Sequence, residues 1–391
     1  MKLTSAKGTM LACYIGYITQ AIANNFAPLL FLRFLSDYHL QLAEVTLITT
    51  LNFAVQLLVD LFSAKYAERI GYRTFVILAH VFCTLGIGGL AILPNILPSY
   101  AGLLLCVILY AIGGGIIEVL ISPIVESCPS DNKEAAMALL HSFYCWGHVG
   151  VVLLSVLYFK TIGMNHWQGL ALLWALVPLA NSILFSLAPI YHPEKAPEEK
   201  KTPNLFSRGM FRVLFVMMIA AGASEQAMSQ WTSAFAESAL HVSKTAGDLA
   251  GPCAFAFMMG CARSLYAAKS EKVSLDKAMT FSALLCIVCY FLAAFSGHPI
   301  PALLGCALCG FSVGIFWPGT FSTAAVKVPY GGTAMYALLA LAGDVGCSLG
   351  PSVTGFTASF AGGNLKVGLA VSAIFPVIML AGIAALKKQR N

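Results

Sequence analysis

Charge is what this sequence has least of. Only 10% of its 391 residues are Asp, Glu, Lys or Arg, while 59% are hydrophobic. That is well below the charge of a soluble domain and excludes a water-soluble globular protein. Also missing are a zinc-protease His-Glu-x-x-His, a phosphate loop Gly-x-x-x-x-Gly-Lys, and a polar domain that could serve as an ATP-driven motor. No small-residue processing site follows the first apolar run, which is too long for a signal peptide and is expected to stay in the protein. The lack of any Asn-x-Ser/Thr sequon fits a bacterial inner membrane.

What is there is a succession of apolar runs. Each span needs roughly 20 residues, and the walk along the chain gives twelve, at 9–34, 43–64, 74–93, 100–127, 135–159, 167–190, 210–236, 246–268, 277–297, 301–325, 332–360 and 367–386. An all-α integral membrane protein is therefore expected, with the lipid bilayer as its surroundings. Placing both termini in the cytoplasm puts nineteen Lys and Arg residues inside and leaves Arg33, Lys160, Lys244 and Lys366 outside. This bias sets the orientation. It also accounts for the net charge of +6 without a nucleic-acid partner.

The proline- and charge-rich stretch Tyr191–Pro203 is too polar for the bilayer and too short for a domain. It predicts a linker, 191–207, between six-helix bundles at 1–190 and 208–391. A faint repeat supports two halves: Ala136-Met137 with Gly147-His148-Val149-Gly150 resembles Ala334-Met335 with Gly343-Asp344-Val345-Gly346. Internal symmetry of this kind marks transporters that alternate access around a midplane site.

Acids inside such spans are costly and face a cavity or a partner. Four are expected there: Asp60, Glu118, Glu225 and Asp344. Glu118 stands mid-span between the triplet Gly113-Gly114-Gly115 and Pro123 and is the leading proton carrier. Glu225 and Asp344 fit proton coupling or interhelical contact equally well, and Asp60 fits a pin between helices. No Lys or Arg is expected deep in a span, so none of these acids has an evident counter-ion. His141 and His148, two turns apart, titrate near neutrality when unperturbed, and His141 is favoured as a cavity residue. His80 reads as a packing residue.

Amides donate and accept, which suits hydroxyl-rich ligands, and an indole face offers an apolar platform. Gln20, Asn24, Asn25, Asn52 and Gln56 supply the amides of the first half, and Gln226, Gln230, Trp231 and Trp317 the polar and aromatic groups of the second. Asn52 and Gln56 are one turn apart, as are Gln226 and Gln230, so each pair can point into one space. Cys286-x-x-Cys289 with Cys306-x-x-Cys309 has zinc-site spacing, but its apolar setting favours small buried hydrophobes. Gly346-Cys-Ser348-Leu-Gly350 has the spacing of a nucleophile elbow without the strand–turn–helix context, and close helix packing explains it better. No metal, cofactor or enzymatic activity is expected.

The loop Ala64-Lys-Tyr-Ala-Glu68-Arg69-Ile-Gly71-Tyr-Arg73 resembles the signature of the major facilitator superfamily. The resemblance implies a twelve-helix fold in two pseudo-symmetric bundles and a gating role for Glu68, Arg69, Gly71 and Arg73. Within the superfamily, Ala23-Asn24-Asn25, Glu118 ahead of Pro123, and Phe143-Tyr144-Cys-Trp-Gly147 resemble the fucose permease group of proton-coupled sugar symporters. Glu225 and Trp231 resemble the Glu and Trp that open span seven in many relatives. The chain departs at Pro28, where the group carries an Asp, and at His141 and Tyr144, where it carries Gln and Asn. The function implied is rocker-switch, proton-coupled import of a small polar solute such as a sugar, with Tyr144 among the binding residues and the protein a monomer. The rival readings are a proton-coupled exporter of amphipathic compounds and a non-transporting sensor. The latter is expected to carry a longer cytoplasmic tail than Lys387-Lys-Gln-Arg-Asn391.

Overall fold

The computed structural model describes residues 5–129, 133–191, 205–269, 274–328 and 332–388. Every regular element among them is helical, as a bilayer demands, since a helix satisfies its own backbone hydrogen bonds. The chain gathers into two compact units, Met1–Leu40 with Leu51–Pro197 and Gln41–Thr50 with Glu198–Asn391. The first unit holds α1 (Ala6–Asn25), α2 (Phe31–Asp37), most of α3 (Leu42–Ile70), α4 (Tyr72–Gly89), α5 (Leu93–Ile96), α6 (Ser99–Ser127), α7 (Lys133–Thr161) and α8 (Trp167–Leu187). In the second lie α9 (Gly209–Ser238), α10 (Lys244–Asp248), α11 (Ala254–Lys269), α12 (Leu275–Phe295), α13 (Pro299–Val313), α14 (Phe316–Lys327), α15 (Gly332–Phe360), α16 (Leu365–Ser372) and α17 (Ile374–Lys388). The opening turns of α3, through Thr50, belong to it as well.

Ten of these segments are long and apolar enough to cross a membrane. The first and eighth spans complete the twelve, and each is interrupted. Expected as one run over 9–34, span one ends its α-helix at Asn25 and passes through a 3₁₀ turn, Ala27–Leu30, before α2. Pro28 lies in that turn, where its missing N–H costs least. Span eight is interrupted by a π-helical turn, Leu249–Cys253, which contains Pro252. Such a turn accommodates the backbone groups that proline disrupts.

Small residues set the closest helix contacts, as expected where no hydrophobic effect drives helices together. The glycine triplet of α6 makes room for three neighbours in turn. A Cβ on Gly113 would overlap the α4 backbone at Ala79, one on Gly114 would sit 3.5 Å from the Gln56 amide, and one on Gly115 would sit 3.0 Å from Asp60 Oδ1. In the second unit Gly222 of α9 lies against the Gly343 carbonyl, while Gly346 and Gly350 of α15 face the carbonyls of Ile219 and Ala223. The stretch with elbow spacing is thus a helix-packing surface.

His80 is a structural tie. Its Nδ1 lies 2.7 Å from the Val76 carbonyl, so that nitrogen carries the proton and Nε2 accepts from Asn181 Nδ2 at 2.8 Å. Asn181 also donates to the Ala12 carbonyl at 3.0 Å, joining α1, α4 and α8. The linker reading falls largely outside the described residues, although Leu205–Ser207 forms a 3₁₀ turn ahead of α9.

Candidate functional site

Two polar clusters stand out, one in each unit. In the first unit the amides of α1 and α3 form a chain. Gln56 Nε2 donates to Asn24 Oδ1 at 2.7 Å and to Asn52 Oδ1 at 2.9 Å, and Asn52 Nδ2 reaches Asn24 Oδ1 at 3.3 Å. All three side chains are buried. The one-turn spacing of Asn52 and Gln56 does place both on one face, as their sequence separation predicts.

One turn before Asn24, Gln20 donates from Nε2 to Glu118 Oε2 at 2.6 Å. This bond ties α1 to α6 at the one acid of the Gly–Glu–Pro stretch. Next to it, Tyr17 Oη and Ser122 Oγ are 2.9 Å apart, and the His141 ring meets the Tyr17 ring edge-on with centroids 5.4 Å apart. Asn25 Nδ2 donates to the Ala21 carbonyl at 2.9 Å and lies 3.4 Å from Tyr144 Oη, while Phe143 stacks on Tyr14 at 4.5 Å. Asn24, Asn25, Gln56, Glu118, His141 and Tyr144 therefore share one neighbourhood. His148, two turns beyond His141, is buried, whereas His141 is exposed.

The second unit carries its own relay on α9. Gln230 Nε2 donates to Gln226 Oε1 at 3.1 Å, and Gln226 Nε2 to Glu225 Oε1 at 3.3 Å. Here one expectation is overturned: Glu225 does have a cation, because Arg263 Nη2 of α11 lies 4.0 Å from Glu225 Oε2. Sequence position placed Arg263 at the membrane edge. Its long side chain reaches back, and its Nε also donates to the Gly314 carbonyl at 3.2 Å, as amphipathic stems do.

Trp231 is fully buried, and its indole N–H donates to the Pro351 carbonyl at 2.9 Å. Trp317 packs its ring on Gly343, where a Cβ would overlap the indole, and that glycine precedes Asp344. A further acid escaped the sequence reading. Asp248 is fully buried, accepting from Ser233 Oγ at 2.5 Å and from Lys244 Nζ at 2.9 Å. The i,i+4 spacing from Lys244 is the signal that could have found it.

In the signature loop, Gly71 takes φ +89° between α3 and α4, a left-handed conformation that favours glycine. Arg73 Nη1 donates to the carbonyls of Phe185 and Ser186 at 3.0 and 2.7 Å, capping the end of α8. Arg69 lies over the Tyr66 ring at 5.9 Å. The Glu68 side chain is outside the described residues. Cys286 and Cys309 bring their sulfurs within 3.8 Å of each other on α12 and α13. Among the described residues no group of three or more His, Cys, Asp or Glu side chains is arranged to hold a metal ion.

Among curated proteins, none is similar enough in sequence to count as a relative. Solved structures share the fold at low identity. A bacterial homologue of the human lysosomal transporter Spinster, in an inward-facing and occupied conformation, matches with TM-score 0.76 at 16% identity, over 98% of this chain and 97% of its own. A variant of the nucleoside transporter NupG matches with TM-score 0.78 at 12% identity, over 97% and 99%. The Escherichia coli fucose:proton symporter FucP, also as a variant, matches with TM-score 0.65 at 14% identity over the same shares. The family model of the Major Facilitator Superfamily matches residues 13–351. With that match and twelve helical spans, the chain belongs to the major facilitator superfamily of membrane transporters.

Proposed function

We propose that this protein imports a small polar solute, such as a sugar, by proton-coupled alternating access, with Glu118 as the proton carrier. The observation that carries the reading is an array of two hydrogen-bonded sets one turn apart on α1, Gln20 with Glu118 and Asn24 with Asn52 and Gln56. Amides that already hydrogen-bond one another can exchange those bonds for a ligand's hydroxyls at small net cost. Asn25, His141 and Tyr144 border the same array, and the second unit carries polar and aromatic groups of its own in Gln226, Gln230 and Trp317. Trp231 supports α9 against α15 through its bond to Pro351.

A proton from outside water binds a Glu118 carboxylate oxygen as the solute binds. The neutral acid is far cheaper to enclose in a dry cavity than the ion. After the protein reopens to the cytoplasm, the proton leaves to water and the ionised carboxylate takes back the Gln20 amide. Glu225 has a cation 4.0 Å away in Arg263, and it and Asp344 are the next candidates after Glu118. The fold likeness to FucP and to the D-xylose-proton symporter is consistent with this reading.

The test is uptake of labelled L-fucose, D-xylose and uridine into proteoliposomes, with and without an inward proton gradient, for wild type and Glu118→Gln. Gradient-driven accumulation of a probe that vanishes in the variant, while gradient-free exchange persists, supports the assignment. Accumulation unaltered in the variant removes Glu118 from the mechanism, and no movement of any probe in the wild type overturns import of this solute class.

A further inference from the structure

Gln20 is 5% exposed, and its two polar ends are in unlike situations. Nε2 donates to Glu118 Oε2 at 2.6 Å, while Oε1 is buried with no hydrogen-bond partner among the described residues. Buried amide oxygens are normally satisfied, so one left vacant beside an ionisable group calls for a partner that arrives later. Asn24, one turn along α1, has its oxygen occupied by Gln56 and Asn52. The vacant acceptor thus adjoins the amide array assigned above to solute binding.

The chemistry of the pair fixes its orientation. An ionised carboxylate only accepts hydrogen bonds, so the amide turns its NH₂ toward Glu118 and its oxygen away. A protonated carboxyl can donate. The amide can then rotate half a turn about its last bond, accept the Glu118 hydroxyl at Oε1, and present NH₂ where the oxygen had been.

We propose that Gln20 is the positioning residue that couples the proton on Glu118 to the bound solute, by reversing the hydrogen-bond polarity it offers. With Glu118 ionised it presents an acceptor to a hydroxyl or N–H of the solute; with Glu118 protonated it presents a donor to a solute oxygen. The proton itself passes between water and the Glu118 carboxylate, and Gln20 gains and loses none. A solute carrying hydroxyls, able to donate and accept at one atom, satisfies both states. The inference rests on the function proposed above.

Other titratable groups around this pair have contacts of their own. Tyr17 on α1 is bonded to Ser122, and His80 on α4 is held between Val76 and Asn181. On α7, His141 meets the Tyr17 ring and Tyr144 meets Asn25. On α3, Asp60 lies beside Gly115, one turn before Glu118.

The experiment compares wild type, Gln20→Met, Gln20→Asn and Glu118→Gln in proteoliposomes with the same three labelled probes. Two quantities are read: accumulation under an inward proton gradient, and gradient-free exchange across the mildly acid to mildly alkaline range. Met keeps the volume without the amide; Asn keeps the amide on a stem one methylene too short to span both partners. Both variants are expected to lose accumulation by about tenfold, within the range typical of coupling between two sites. Exchange should slow, because Gln20 also contacts the solute, and should lose its pH dependence. Wild-type accumulation and pH profile in both variants overturn the proposal and leave the function standing. Exchange abolished at saturating probe, or slowed with its wild-type pH dependence intact, in variants that elute as single folded species, also overturns it, because Gln20 would then be a binding group alone. If the wild type accumulates no probe, the function proposed above fails first, and the wild-type arm alone shows it.

Discussion

Gln20, Asn24 and Asn25 lie within six positions of one helix, yet each solves a different bonding problem. Asn25 returns its amide to its own helix at Ala21, Asn24 collects donors from α3, and Gln20 reaches α6. The Asn24 oxygen depends on Gln56 for its shortest bond, 2.7 Å. Replacing Gln56→Leu removes the shorter of the two amide bonds to that oxygen and the donor to the Asn52 oxygen. The expected loss is about 1 to 3 kcal/mol, the cost of a buried polar group left short of a partner. A lowered melting temperature of the purified protein in detergent checks it, and an unchanged one would show that water replaces the lost amide. Gln56→Glu is a useful companion, since it keeps the shape and changes only the donor.

At the scale of elements, α10 and the π turn behind it depend on one buried charge pair. Lys244→Met leaves Asp248 fully buried with Ser233 as its one remaining donor of the two. Breaking a buried pair from one side costs on the order of 3 kcal/mol, whereas the double change Lys244→Met with Asp248→Leu removes both charges and should recover most of it. Thermal unfolding of the two variants side by side decides the matter: equal losses would mean that the pair contributes nothing as a pair. Element scale is also where the sequence was most and least readable. Asn52 and Gln56 were legible because both lie on one helix, where 3.6-residue periodicity fixes their common face. The Gly346–Gly350 spacing predicted close packing for the same reason. Arg263 meeting Glu225 was not legible, since it joins α11 to α9 and depends on how far a flexible side chain extends. Trp231, assigned to a ligand on its chemistry, has its N–H on Pro351, a partner 120 positions away. Pro28 and Pro252 lie in the interruptions of spans one and eight, which were expected as unbroken runs, and the sequence does not tell a 3₁₀ turn from a π turn.

For the molecule as a whole, charge asymmetry and helix count make one joint claim about orientation. All twelve cysteines are free, and only Cys261 and Cys347 are not buried, so background thiol labelling is limited. A membrane-impermeant maleimide is expected to label Gly163→Cys in right-side-out vesicles and Gly71→Cys only in inverted ones, with both termini cytoplasmic. Labelling of both from one side would refute the twelve-span topology. Fold class was legible because apolar run length and Lys/Arg bias are properties of the whole chain, insensitive to any one contact. The site was legible only in residue type, because which amide meets which depends on helices far apart in sequence. Span one carries a further consequence, for biogenesis. It is not among the ten segments that pass as spans on length and apolar composition, and the amides of Gln20 and Asn24 meet partners on α6 and α3. During synthesis α1 is therefore expected to stay near the insertion machinery until those later helices are made, and the contacts of the candidate site also secure this helix in lipid.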